Sequence, residues 1–213
     1  MSYYRKLRMN KNIVIGISAL FVIGLAVAIG VTLSSEPVAV ALPEGEVVIT
    51  GDVLPPYSGE NDDNIAFGLN APLFSGPDQY SNIVSLEKDG NAKALIFLAH
   101  WCPHCQREVP AVQEYIDTMG VPDGIDIIAI ATSIDKGREN YPPTEWLARE
   151  GWTELQIYDI DKKIGDAYGL NAFPYWVFLD KELKIIARRT GNLPQDLVAV
   201  SYTHLTLPTT PYV

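Results

Sequence analysis

The chain has 213 residues, 47% of them hydrophobic, with 16 Lys+Arg against 26 Asp+Glu for a formal net charge of −10. That apolar share excludes a disordered chain. The acidic balance repels a phosphate backbone, so no nucleic-acid partner is expected.

The charge is unevenly spread. Residues 1–12 hold Arg5, Lys6, Arg8 and Lys11 and no acid, which leaves 12 Lys+Arg against 26 Asp+Glu, or −14, for the remainder. Ile13 to Leu33 is a run of 21 residues without a charge. At about 1.5 Å per residue it spans about 30 Å, the thickness of a bilayer core. The positive-inside rule makes 1–12 a cytoplasmic basic segment, 13–33 a transmembrane anchor and everything beyond it extracytoplasmic, where disulfides persist. The competing reading is a signal peptide cleaved at Ala39-Val40-Ala41, but the apolar run exceeds the about 7–15 residues of such a segment.

Residues 34–46, rich in Ser, Glu, Pro and Ala, read as a linker, and 47–199 as one α/β domain. Val47–Leu54 is a candidate short strand. Pro55-Pro56, Gly59 and the acidic run to Asp63 predict a loop, and 65–85 predicts irregular structure with short strands. Ala94–Ala99 is a continuous apolar run, as in a strand buried on both faces. Pro103 to Met119 places Val109, Val112, Ile116 and Met119 near helical spacing, with Gly120 to end the helix. Ile125–Ala131 is a second buried strand. A helix opens at Pro142-Pro143-Thr144 and stops at Gly151. Leu155–Tyr158 is a strand, and Asp161 is a candidate cap for a short helix ending near Gly169. Tyr175–Leu179 and Leu183–Arg189 form a strand pair, with a final helix after Pro194. The order implies a central mixed sheet flanked by helices.

The two cysteines form one C-x-x-C, Cys102 to Cys105, leaving none for a structural disulfide framework. A lone C-x-x-C also lacks the second pair a zinc site would need, so no metal and no cofactor is expected. Cys102 falls where a buried strand meets a helix. The thiolate is the reactive form, and the half-positive charge of a helix N-terminus favours it. Pro103 suits the first turn, which needs no N–H. Cys105, one turn on, can attack a mixed disulfide on Cys102. His104 lies between the thiols, where an imidazole stabilises a thiolate and makes the disulfide more oxidising. His100 reads as a solvent-facing residue.

These residues, in this order, resemble the thioredoxin superfamily, and most nearly its membrane-anchored TlpA/ResA-type thiol–disulfide oxidoreductases, over about Asn70–Leu197. Asn70-Ala71-Pro72 is similar to the opening of such domains. Leu95 through Trp101 to Cys105 resembles the strand and active-site segment, Glu108-Val109-Pro110 the Glu-x-Pro that follows the second Cys, and Tyr168 through Phe173 to Pro174 the run before a cis-proline. The resemblance implies a thioredoxin-like fold, a cis Pro174 beside Cys102, and a Phe173 backbone that pairs with substrate. Two features depart from it. The family's reductases often carry a buried acid six residues before the first Cys, where Ile96 stands; Glu108 is a candidate substitute or else a surface residue. Cys-Pro-His-Cys is the motif of periplasmic disulfide oxidases, yet the spacing from Cys105 to Pro174 fits the shorter TlpA-like layout.

The expected function is extracytoplasmic thiol–disulfide exchange, of the type that reduces protein disulfides in cytochrome c maturation. Its partners are protein thiols and disulfides and a membrane electron donor. The alternatives are a protein disulfide oxidase and, from another class, a copper-binding module built on the Cys/His cluster. Residues 200–213 resemble translated adapter sequence and are set apart as non-native.

Overall fold

The computed structural model describes residues 41–59 and 63–193. The basic segment, the anchor read over 13–33, linker residues 34–40, the helix after Pro194 and the 200–213 segment lie outside them. Among the described residues no helix is long and apolar enough to cross a membrane.

The elements run β1 (Val48–Thr50), α1 (Asp63–Ala66), β2 (Leu73–Pro77), β3 (Ile83–Ser85), β4 (Ala92–Leu98), α2 (Pro103–Met119), β5 (Ile125–Thr132), α3 (Pro143–Arg149), β6 (Leu155–Asp159), α4 (Lys163–Ala167), β7 (Tyr175–Leu179) and β8 (Ile185–Thr190). Five strands form a sheet in the order β6-β5-β4-β7-β8. β4, β5 and β6 are parallel, and β7 and β8 antiparallel. This is the expected central mixed sheet. A smaller antiparallel sheet, β1-β2-β3, meets it through one bridge between Asp78 and Ile157.

β4 is buried throughout because both faces of the sheet are covered. Successive residues point to opposite faces. Ala94, Ile96 and Leu98 join Val109, Val112 and Ile116 of α2 and Trp146 and Leu147 of α3. Leu95 and Phe97 face the other way, among Phe74, Tyr168, Tyr175 and Val177. Each fully buried side chain of this size is worth about 1.5–3 kcal/mol, so the sheet holds the C-terminal end of β4 rigidly.

Helix α2 has the bounds its periodicity predicts. Pro103 takes its first position, and Gly120, at φ 75°, closes it by donating to the Ile116 carbonyl at 2.8 Å. Pro110 lies inside the helix. Two sequence expectations need correction. The first strand contracts to Val48–Thr50. Beyond it the chain turns to lay Leu54 and Tyr57 against the Ala167 and Gly169 carbonyls, at 2.8 and 2.9 Å. The short helix α4 is not capped by Asp161. The buried Asp159 carboxylate accepts from the N–H groups of Ile164 and Gly165, at 3.0 and 2.9 Å, and from Thr132 Oγ1 at 2.8 Å. Asp159 is itself the last residue of β6, which aims it under the helix, whereas Asp161 lies two residues further on, in the turn, and is exposed.

Candidate active site

β4 delivers the chain to Ala99, His100 and Trp101, and a turn closes where Cys102 N–H donates to the Ala99 carbonyl at 2.9 Å. Cys102 is then the N-cap of α2, with extended backbone angles. Both cysteines are free thiols. Cys102 keeps 7% of its surface exposed and Cys105 none. Burial pushes the Cys105 thiol far up, the thiol and charge of Cys102 and the Glu108 carboxylate push in the same direction, and a backbone hydrogen bond at Ala99 opposes them. Both thiols are buried, but what access remains belongs to Cys102, while Cys105 stays protonated and hidden, a division of labour suited to attack followed by resolution.

The Phe173–Pro174 peptide is cis, as the resemblance implied. Pro174 is buried and its carbonyl accepts from Gly191 N–H at 2.9 Å. The Phe173 carbonyl lies 3.9 Å from Cys102 Sγ, which donates to it. Trp101 packs edge-on against Phe173 with ring centroids 6.0 Å apart.

Glu108, one turn beyond Cys105, is not a surface residue: 2% of it is exposed. Its Oε1 accepts from Trp176 Nε1 and from Leu193 N–H, both at 3.0 Å, and Oε2 accepts from Asn192 Nδ2 at 2.7 Å. A carboxylate with three donors is a satisfied buried charge. Sequence reading missed Asn192, which also donates to the His104 carbonyl at 3.0 Å. No local pattern marks it, because it reaches the site from the end of β8. His104 and Pro103 are exposed, and Arg107 Nη2 donates to His104 Nδ1 at 2.9 Å.

His100 corrects the expectation of a solvent-facing ring: only 1% of it is exposed. Nε2 accepts from Asp135 N–H at 3.1 Å, which leaves Nδ1 to carry the proton and donate to the Glu139 carbonyl at 2.7 Å. Both ring nitrogens are thus occupied by backbone, so the copper ligand set suggested by the cluster of His100, Cys102, His104 and Cys105 does not form. Among the described residues no group of three or more His, Cys, Asp or Glu side chains is placed to hold a metal.

A family model described as Redoxin matches residues 67–203. The chain is 22% identical over 137 residues to the thiol-disulfide oxidoreductase ResA of Bacillus subtilis, covering 64% of this chain and 74% of that protein. It is 23% identical to ResA of Halalkalibacterium halodurans over 112 residues, 53% of this chain and 61% of the relative. Among solved structures, the thioredoxin domain of a thiol-disulfide oxidoreductase from Bacteroides vulgatus superposes with a TM-score of 0.54 at 24% identity, covering 66% of this chain and 99% of that one. StoA from Bacillus subtilis gives 0.53 at 18% identity, covering 63% and 98%. The fold is thioredoxin-like.

Proposed function

The chain belongs to the Redoxin family, and from that premise we propose that it is a thiol–disulfide oxidoreductase whose redox pair is Cys102 and Cys105. The observation that carries this reading is the pairing of Cys102, which keeps 7% exposure at the N-terminus of α2 beside the Phe173 carbonyl and cis Pro174, with a fully enclosed Cys105 one turn on.

In the reductive direction the Cys102 thiolate attacks one sulfur of a substrate disulfide. The substrate S–S bond breaks, one substrate sulfur leaves as a thiolate and takes a proton, and the other stays bonded to Cys102. Cys105 loses its proton, with Glu108 as the nearby carboxylate to receive it, and attacks the Cys102 sulfur. The second substrate thiol leaves, the substrate has gained two electrons, and the enzyme holds a Cys102–Cys105 disulfide. Phe173 offers its backbone to the bound substrate strand, Pro174 walls the site, Trp101 covers it and Pro103 sets the helix start. The finer reading is reduction of protein disulfides outside the cytoplasm, of the cytochrome c maturation type. It takes the anchor read over 13–33 to tether the 47–199 domain, a membrane electron donor to restore the dithiol, and residues 200–213 to play no part.

A second reading, a disulfide oxidase, is favoured by the exposed Pro103-His104 dipeptide with the Arg107 guanidinium beside it, since cations near a thiolate stabilise the reduced pair. Equilibration of the full chain in detergent with glutathione or dithiothreitol separates them. A potential near about −270 mV supports the reductase, and one near about −120 mV the oxidase. Absence of any reversible two-electron couple refutes both.

A further inference from the structure

The exchange chemistry makes no use of His100, although its ring is buried immediately before the redox motif. We propose that His100 is a positioning residue: its neutral imidazole, protonated at Nδ1, fastens both ends of the segment between β5 and α3 and so sets Arg138 over Trp101 as a wall beside Cys102 for a protein disulfide. The proposal rests on the reading of Cys102 as the attacking thiol.

The segment in question has little else to hold it. No side chain from Ser133 to Asn140 is buried, and Asp135 to Glu139 are exposed. Apart from Arg149 Nη2, which donates to Asn140 Oδ1 at 2.6 Å, its anchors converge on His100. The ring takes Asp135 N–H at 3.1 Å and gives to the Glu139 carbonyl at 2.7 Å. The His100 carbonyl accepts from Asn140 Nδ2 at 3.3 Å and from Gln106 Nε2 at 3.1 Å, and Gln106 Nε2 also reaches Glu139 Oε1 at 3.2 Å. Next along the chain, Trp101 Nε1 donates to the Ser133 carbonyl at 2.9 Å. The result is visible on the surface: the Arg138 guanidinium carbon lies 4.6 Å from the Trp101 ring centroid, within cation–π range. Trp101 in turn touches Phe173, so a substrate strand at Phe173 would run along this wall.

The arrangement works only with an unprotonated ring. A proton on Nε2 would turn it towards the Asp135 N–H as donor against donor. The groups that face the ring are Asp135, Glu139, Arg138 and Tyr141 from the loop and the uncharged Gln106 from α2. Burial and Arg138 favour the neutral form, and the Glu139 carbonyl and the Asp135 charge oppose them, with burial prevailing.

The test is nitrogen NMR on the full chain in detergent, together with insulin reduction kinetics. At neutral pH the His100 ring should show a protonated Nδ1 and a bare Nε2, and the Asp135 amide should be protected from exchange. His100→Asn keeps a donor for Glu139 and removes the acceptor for Asp135, so Asp135 protection should fall about three- to tenfold, the worth of one hydrogen bond. KM for insulin should rise by a similar factor while the alkylation rate of Cys102 by iodoacetamide stays unchanged. The wild-type KM should rise as pH falls below the ordinary imidazole value of 6.5, and the variant should lack that rise. An Nε2-protonated ring in the wild type, or unchanged Asp135 protection in the variant, overturns the proposal. So does a parallel loss of Cys102 alkylation, which would mean that His100 acts on the thiol itself. If the wild type reduces no insulin, the exchange reading fails, while the tautomer and the Asp135 amide still decide the role of His100.

Discussion

Replacing Glu108 with Gln tests whether the buried carboxylate is held as a charge. The native group offers two acceptor oxygens to three donors, Trp176 Nε1, Leu193 N–H and Asn192 Nδ2. An amide keeps one oxygen, which can still serve Trp176 and Leu193. Its NH2 then faces the Asn192 NH2, and Asn192 cannot turn over without losing its bond to the His104 carbonyl. One charge-assisted bond is lost, at about 1.5–3 kcal/mol, and two are weakened. The variant should therefore be about 2–4 kcal/mol less stable, which for a domain of this size is a fall of about 4–16 °C in Tm. Asn192→Asp in the same chain gives the new amide an acceptor and should recover part of the loss, whereas alone it sets two carboxylates face to face and destabilises. Urea denaturation of the four proteins closes a double-mutant cycle. Additivity within about 0.5 kcal/mol would refute a direct Glu108–Asn192 interaction. The same substitution removes one of the charges that raise the Cys105 thiol, so in a Cys102→Ser background the pH profile of Cys105 alkylation should move to lower pH.

Three other outcomes follow from the geometry. Cys105→Ser should accumulate a covalent Cys102–substrate adduct on a non-reducing gel, while Cys102→Ser should form none; adduct through Cys105 would reverse the assignment. Gly169→Ala should cost at least about 1–3 kcal/mol in chemical denaturation, because the residue sits at φ 71° and an added Cβ would collide with the Pro55 carbonyl oxygen. Asp159 has its carboxyl raised above 3.8, burial outweighing its bonds to Gly165, Ile164 and Thr132. The folded state therefore keeps a proton that the unfolded chain has released. Stability should fall as pH rises from about 3.8 through the folded value, and that slope should be absent in Asp159→Asn; an unchanged slope assigns it to other carboxylates.

The layers of the fold were legible where local pattern and burial agree. The apolar run at 94–99 and the spacing of Val109, Val112 and Ile116 each report a surface packed against the sheet, and both elements occur close to their predicted bounds. What the sequence hid is held by long-range contacts. Glu108 was ambiguous because its burial depends on Trp176 and on Asn192, 84 residues away. His100 was misread because its partners are backbone groups of a loop about 35–40 residues on, and backbone groups carry no residue signature. The Asp161 cap failed for a related reason: two acids stood near the helix start, and strand geometry decided between them.

The carboxylate behind the thiols has a consequence for the order in which the chain is made. Cys102, Cys105 and Glu108 emerge together on one helix. The partners of Glu108 come later, Trp176 from β7 and Asn192 and Leu193 only after β8. Until about residue 193 has left the ribosome, Glu108 cannot be enclosed without leaving a charge unsatisfied, which penalises premature closure of this face. Enclosure of Glu108, and with it the surroundings of Cys105, is therefore tied to the arrival of β8 and the residues just after it. An intermediate ending short of β8 would hold both thiols at a helix still open to solvent, prone to pairing with a cysteine of another protein.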